Sequence, residues 1–337
     1  MGSYLKKFLD NDSKQDKSIF GHIIGVDLPD IDISKISSLD SWINSQEKIN
    51  LIINCAASTN TAKIETDIST RNDSYKANVI GPKNIAEVCV RNRIKLIHIS
   101  TDYVFSEKSL IDGKIVEFPV NTYGLHKLLG EKMIEIAFAR NPKDFMILRT
   151  SWLYGNSEQS FPVKFLKACL DNHEVKVVDD CFGRPTSVQY LTKFICSAIK
   201  HKAYGKIDAQ PTSSPISRFD FAKLILKNWK EYANTSDHSE LAKLIDDEVI
   251  IVPCKSSEFK TDIQHPQEMP SFNDDLQSST TPDRSLSAKH IAQIVKETGM
   301  QSISSKMYFQ WFTDFNGSQM IEKFLKKYKA ESTCTTK

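Results

Sequence analysis

With 337 residues, 44 Lys+Arg against 42 Asp+Glu and a formal net charge of +2, the chain is long enough for two associated lobes with ample core. That balance supplies no field to draw it onto nucleic acid or anionic lipid, and no apolar run approaches membrane-spanning length. Lys6 and Lys7 have no apolar stretch behind them, so no secretory signal is expected. Seven scattered cysteines without a C-x-x-C pair read as reduced thiols of a cytoplasmic protein. The eight histidines form no ligand-spaced cluster, so no metal is expected.

In chain order, Ile23-Ile24-Gly25-Val26 reads as a strand ending at Asp27, and Leu51 to Cys55 as another. A helix is predicted over 75–90. The apolar run Leu96-Ile97-His98-Ile99 follows, as expected of a buried parallel strand. Thr101 stands at its carboxyl end, where open α/β sheets keep their ligand crevice. A loop leads to a helical pattern opening at Tyr123 and running through Leu128, Met133 and Ile136, and Phe145 to Arg149 is a further strand. Strands alternating with helices predict a doubly wound parallel sheet. In the second half, helices are expected at 161–170, 188–201 and 219–232, with short strands at 175–178 and 249–252 that can pair. Residues 256–283 lack periodicity and read as a long surface loop. Two more helices follow near 287–297 and 318–327, the last with a solvated basic face.

Tyr123 and Lys127 lie one helical turn apart, so phenol and amine share a face. With Thr101 they offer a hydroxyl to hold a carbonyl, a phenol to pass a proton and a cation to make that phenol more acidic. Those are the parts of a redox site for carbonyl and alcohol.

Ser100-Thr101-Asp102-Tyr103-Val104-Phe105 and Tyr123-Gly124-Leu125-His126-Lys127 stand among several blocks in one order. They are Ile31-Asp32-Ile33-Ser34, Asn54-Cys55-Ala56-Ala57 with Thr59, Asn78 with Gly81 and Asn84, Arg149-Thr150-Ser151-Trp152-Leu153-Tyr154-Gly155, and Asp179 to Thr186. Ser217 to Ala222 follows, and a thinner match runs from Pro282 to Lys289. In this the chain resembles the dTDP-4-dehydrorhamnose reductase family of extended short-chain dehydrogenases/reductases. The Thr-Ser-Trp interior is the most discriminating block. A regulatory subunit of methionine adenosyltransferase resembles the same family but carries a Pro-containing apolar version there. A non-catalytic interaction protein on the same fold is a further alternative.

The resemblance implies a Rossmann-type NAD(P)-binding domain over 1–155, to which a helix near 186–202 returns, and a substrate lobe over 156–330. The cofactor would be NADPH or NADH, and the substrate a nucleotide-linked 4-keto-6-deoxy sugar. Thr101, Tyr123 and Lys127 would be catalytic. Asp27, Asp32, Ile33, Ala56, Ala57, Thr59, Asn78 and Ser100 would line the cofactor with Tyr123 and Lys127. Asp102, Val104, Trp152 and Arg184 would face the sugar nucleotide, and a homodimer is a possible assembly. Asp27, at a strand end, would accept from ribose hydroxyls and favour NADH, or serve simply as a turn residue.

The chain departs from the family in lacking a Gly-x-x-Gly-x-x-Gly turn. Residues 2–9 read like the third glycine and the helix behind it, so a first strand and two glycines are expected to be missing. His126 replaces a small hydroxyl residue, and Gln210 stands where a glycine is common.

Overall fold

Four parallel strands organise the chain. Helix α1 (Gly2–Asp12) and helix α2 (Ile36–Asn44) precede β1 (Leu51–Asn54). Then α3 (Thr61–Thr66) and α4 (Ile68–Tyr75) lead through a π-helical turn, Lys76–Ile80, into α5 (Gly81–Asn92). Strand β2 (Lys95–Thr101) runs into a 3-10 turn at Asp102–Val104 and a small hairpin, β3 (Leu110–Ile111) with β4 (Lys114–Ile115). Helix α6 (Thr122–Ala137) and β5 (Phe145–Thr150) complete this half. Next come β6 (Leu153–Tyr154), α7 (Phe161–Asp171), β7 (Glu174–Val178), β8 (Phe182–Gly183) and β9 (Thr186–Ser187). The last are α8 (Val188–Lys200), β10 (Gly205–Asp208), β11 (Ile216–Ser217), α9 (Arg218–Thr235) and β12 (Ile250–Cys254). This computed structural model describes residues 1–14, 19–106, 109–111, 114–155, 157, 159–211, 214–235 and 249–258. The loop expected at 256–283 lies outside the described residues beyond 258, as do the helices near 287–297 and 318–327 and the block from Pro282 to Lys289.

The main sheet has the order β1-β2-β5-β10, every pairing parallel. Alternate residues of each strand face opposite sides, and both sides are covered. Ile97, Ile99, Met146 and Leu148 pack with Leu5 and Leu9 of α1 and Tyr190, Leu191 and Phe194 of α8. Leu96, Phe145 and Ile147 meet α2, α5 and α6 through Leu39, Ile43, Ile85, Cys89 and Ile134. This is the doubly wound arrangement. Helix α8 and strand β10 thus return to the first half, and β10 was not foreseen. Its Gly205–Asp208 run carries one apolar side chain, Ile207, too few for an alternating pattern to show.

The strand expected at 23–26 is not formed. The segment has no regular structure and pairs with nothing among the described residues, and Ile24 and Val26 are exposed. An apolar run becomes a strand only where a neighbour supplies backbone partners. Here β1 has one strand neighbour among the described residues, β2.

The second half builds its own core where Phe165, Leu166 and Cys169 of α7 meet Phe221, Ile225 and Trp229 of α9 over Val175 and Val177. The strands expected at 175–178 and 249–252 do pair, in parallel, Ile250 opposite Glu174 and Cys254 opposite Val178.

Candidate functional site

Helix α6 is docked unusually closely, and that docking assembles the site. A methyl group on Gly124 would lie 2.2 Å from the Tyr103 carbonyl oxygen, and one on Gly130 would lie 2.2 Å from the Asn78 carbonyl oxygen. Only hydrogen side chains let α6 touch the turn after β2 on one side and the π-helical turn on the other. Pro82, four residues beyond Asn78, has no N–H for that carbonyl. The Asn121 side chain caps α6 by accepting from the Gly124 N–H at 2.7 Å. Glu65 accepts from the Thr122 backbone N–H, and from its hydroxyl at 2.8 Å.

These contacts bring Tyr123 beside Thr101, close enough for the threonine hydroxyl to favour the phenolate. The Thr101 hydroxyl also lies 3.3 Å from the Asp102 carboxylate and accepts from the Tyr103 N–H at 3.2 Å. The rings of Tyr103 and Tyr123 meet edge to face, 5.8 Å apart. Burial pushes the Tyr123 phenol up to about 12, the Thr101 hydroxyl opposes this and the Asp102 charge adds to it. The expected downward pull is therefore reversed: removing a phenolate from water outweighs the neighbours that favour it. The Lys127 amine is directed instead to the Ile99 carbonyl oxygen at 2.7 Å and to Nε2 of His98 at 3.2 Å. Lys127 is 1% exposed. Burial brings its amine down to about 8, against the charges of Glu131 and Cys55.

Asp102 is buried beside Thr101, and burial raises its carboxyl to about 6 despite hydrogen bonds from Ser151 and Thr101 and the nearby Arg184 charge. Arg184 is itself buried, and its backbone N–H reaches the Ser151 hydroxyl at 3.3 Å. Trp152 is half-buried at the junction of the two halves, with its backbone in the left-handed region (φ 41°). The Arg218 guanidinium lies 3.8 Å from the centre of its ring, and Phe221 stacks nearby at 6.2 Å.

Several expected ligand contacts are spent inside the protein. The Ser100 hydroxyl donates to Glu131 at 2.5 Å, so it braces α6 against β2. Asn78 is fully buried, accepting from the Ser58 N–H at 3.1 Å and donating to the Ser58 carbonyl at 2.8 Å. It clamps the loop after β1 and has no free edge for a cofactor. The Val104 side chain is wholly buried with Phe105 against Ile115 and Leu128 and cannot face a sugar. Asp32 holds its own turn through the Ser34 N–H at 3.0 Å and hydroxyl at 2.7 Å. The Ile33 carbonyl accepts from Asn84 at 3.0 Å. Asp27 is exposed and accepts from the Leu28 N–H at 2.9 Å, the turn role.

Ala56, Ala57 and Thr59 are exposed at the carboxyl end of β1, small enough for a ligand to lie on their backbone. Thr150, paired with Thr101 at the carboxyl end of the sheet, has a buried hydroxyl without a hydrogen-bond partner. The exposed small-residue loop at Ala56 and Ala57 leaves backbone open to a polar dinucleotide at the carboxyl end of the sheet. No group of residues suited to a metal occurs among the described residues.

Two features escaped the sequence. His98 is fully buried between Asn54 and Lys127; its one signal was a polar residue in an apolar strand. Glu131 is also fully buried, and Arg149 of β5 grips it through Nε at 3.1 and 3.2 Å and Nη2 at 2.6 Å. Spacing carries no sign of a pair eighteen residues apart.

A parallel doubly wound sheet with a threonine at one strand exit and a tyrosine and lysine on the helix beyond it defines a short-chain dehydrogenase/reductase framework. The chain belongs to the RmlD substrate binding domain family, whose model matches residues 13–298. It is 31% identical over 186 residues to a dTDP-4-keto-6-deoxy-D-glucose reductase of Streptomyces niveus, covering 54% of this chain and 62% of that protein. It is 33% identical over 168 residues to a dTDP-4-dehydrorhamnose reductase of Aggregatibacter actinomycetemcomitans, covering 49% and 54%. The chain thus spans a little over half the length of these curated relatives. Among solved structures, a dTDP-4-dehydrorhamnose reductase from Bacillus anthracis in complex with NADP is similar at TM-score 0.63 and 28% identity, over 78% of this chain and 84% of that one. An ortholog from Clostridium acetobutylicum gives TM-score 0.66 and 27% identity, over 88% and 96%.

Proposed function

We propose that this chain binds NADPH or NADH and reduces the C4 ketone of a nucleotide-linked 4-keto-6-deoxy sugar. The observation that carries this reading is the placement of Tyr123 beside Thr101 at the carboxyl end of β2, with Lys127 one turn along the same helix. A bound nicotinamide supplies hydride to the carbonyl carbon. Thr101 donates its hydroxyl to the carbonyl oxygen, and Tyr123 gives that oxygen its proton. The phenolate left behind is favoured by the Thr101 hydroxyl and by a positive charge on Lys127. Ala56, Ala57 and Thr59 would hold the dinucleotide on their backbone. Asp102, Trp152 and Arg184 bound the sugar-nucleotide side. Residues 1–155 with α8 and β10 form the cofactor half, and 156–330 supply the remaining substrate half. Six described cysteines are unpaired, which supports a reducing, cytoplasmic compartment; a homodimer is the assembly proposed.

Turnover is read as loss of nicotinamide absorbance with dTDP- or UDP-linked 4-keto-6-deoxy-mannose. Tyr123→Phe removes the proton donor and lowers the rate by roughly 10²–10⁴ with little change in substrate affinity. A variant that turns over like the parent overturns the assignment.

A further inference from the structure

His126 on α6 departs from the family in replacing a small hydroxyl residue, and it closes a run of hydrogen bonds that begins in the loop after β1. The Asn78 side-chain oxygen accepts from the Ser58 backbone N–H at 3.1 Å, and a backbone N–H can only donate. That orients the Asn78 amide, so its NH₂ donates twice, to the Ser58 carbonyl at 2.8 Å and to the Ser74 hydroxyl oxygen at 3.0 Å. Ser74 is fully buried and still has its own proton to give. Among the described residues the one other group bonded to that hydroxyl is Nδ1 of His126, at 3.0 Å. A neutral imidazole with its proton on Nε2 offers Nδ1 as the acceptor. The run Ser58–Asn78–Ser74–His126 is then satisfied end to end. It ties the loop that carries Ala57 and Thr59 to the helix that carries Tyr123.

We infer that His126 is a positioning residue: its neutral imidazole orders the Ser74 hydroxyl, and through Asn78 this holds the loop at Ser58 in the form that receives the dinucleotide. The inference rests on the reductase reading for what the loop receives, though not for the hydrogen bonds. An imidazolium carries a proton on both ring nitrogens. Its Nδ1–H could only share the Ser74 oxygen with the Asn78 NH₂, and the hydroxyl proton would be left buried without an acceptor. To find one, Ser74 must change rotamer, which moves its oxygen away from the Asn78 NH₂ and loosens the clamp on Ser58. The groups facing the ring are Glu65 of α3, which favours its charge, and Arg71 of α4, which opposes it. Tyr75 of α4 meets the ring edge to face at 5.6 Å. Glu65 is engaged at the start of α6 by Thr122, and Arg71 by the Ile64 and Glu65 carbonyls. Burial prevails and keeps the imidazole below its ordinary range, so the ring is neutral at about pH 7. Dinucleotide affinity should therefore hold its full value at neutral pH and fall as pH drops through the His126 pKa, with the Tyr123–Thr101 pair untouched.

Two measurements on the full chain test this. In ¹⁵N NMR of the protein without ligand, the Ser58 amide is expected to shift together with the His126 ring, at one midpoint below the ordinary histidine value. A ring that titrates while Ser58 stays still overturns the inference, as does a ring already charged at neutral pH. The second measurement uses His126→Asn, whose side-chain oxygen takes the place of Nδ1 and cannot titrate. Calorimetry with NADP⁺ and NAD⁺ should give parent and variant equal affinities at about pH 8, with the variant binding about fivefold tighter or more at about pH 5. The ratio of the two proteins at each pH removes any titration of the ligand itself. A ratio that does not change with pH overturns the inference. If the variant fails to fold, the Ser58 amide of the parent decides. Absence of dinucleotide binding at either pH sinks the reductase reading and leaves the Ser58 result standing.

Discussion

Asp102 shows how the buried charges of this site trade stability for chemistry. A carboxyl raised to about 6 by burial binds its proton more tightly folded than unfolded. Its contribution to stability is therefore present in full below about pH 4 and lost as pH rises through about 6. Above that the fold carries an ionised, buried carboxylate, offset in part by the Ser151 and Thr101 bonds and the Arg184 charge. Asp102→Asn should stabilise the protein by about 3 kcal/mol at pH 7–8 and by nearly nothing at pH 4, since the carboxyl is raised from 3.8 to about 6 and a shift of one unit is worth about 1.4 kcal/mol. Thermal melts of parent and variant across that range check it, and equal shifts at both ends would contradict the assignment. At this scale the sequence was a good guide to which residues meet, Thr101 with Tyr123 above all. It was a poor guide to what they face: Ser100, Asn78 and Val104 all turn inward, because a pattern of residue types does not record which hydrogen bonds the protein uses on itself.

Elements with strong apolar runs were legible because both faces of their sheet are covered. Strands β2 and β5 and helices α6 and α8 came directly from their patterns. Residues 23–26 failed for the converse reason, as strand propensity has no effect without a partner. The two-residue strands β6, β8, β9 and β11 are set by contacts that no local window contains. What the sequence hid most completely was the depth to which α6 sinks, which depends on two glycines and on atoms distant in the chain. Gly124→Ala places a carbon against the backbone oxygen of Tyr103, 2.2 Å from it, and backbone cannot rotate away as a side chain would. The N-terminal turn of α6 must lift, separating Tyr123 from Thr101. We expect a loss of about 1–3 kcal/mol in stability, as for other overpacked sites. Turnover should fall more than tenfold with cofactor affinity largely kept, because the added carbon meets Tyr103 and Pro119, while the small-residue loop follows β1. Denaturant melts with steady-state kinetics measure both, and a variant retaining full stability would mean that α6 is not held by this contact.

Across the whole molecule, the junction between the halves converges on Trp152. Its backbone continues from β5 of the main sheet, while its indole packs toward the second core with Phe161 and Phe221 and lies beneath Arg218. A left-handed backbone is unfavourable for any residue with a Cβ, by roughly 1–2 kcal/mol, and free of that penalty for glycine. The indole must therefore supply enough packing to hold the chain in that conformation. This separates two roles in one experiment. Trp152→Ala loses the packing and keeps the strain, whereas Trp152→Gly loses the packing and releases it. The glycine variant should be the more stable of the two by about 1 kcal/mol, after its greater freedom in the unfolded chain is set against the released strain. Both variants should weaken sugar-nucleotide binding by about 1–3 kcal/mol if the indole walls the sugar, and both should leave dinucleotide affinity unchanged. Calorimetric titrations with each ligand, alongside melts of the two variants, read these four quantities. An alanine variant more stable than the glycine one would show that the left-handed backbone at 152 is imposed by the indole and disappears with it. Unaltered sugar-nucleotide affinity would make Trp152 a joint between the halves and nothing more.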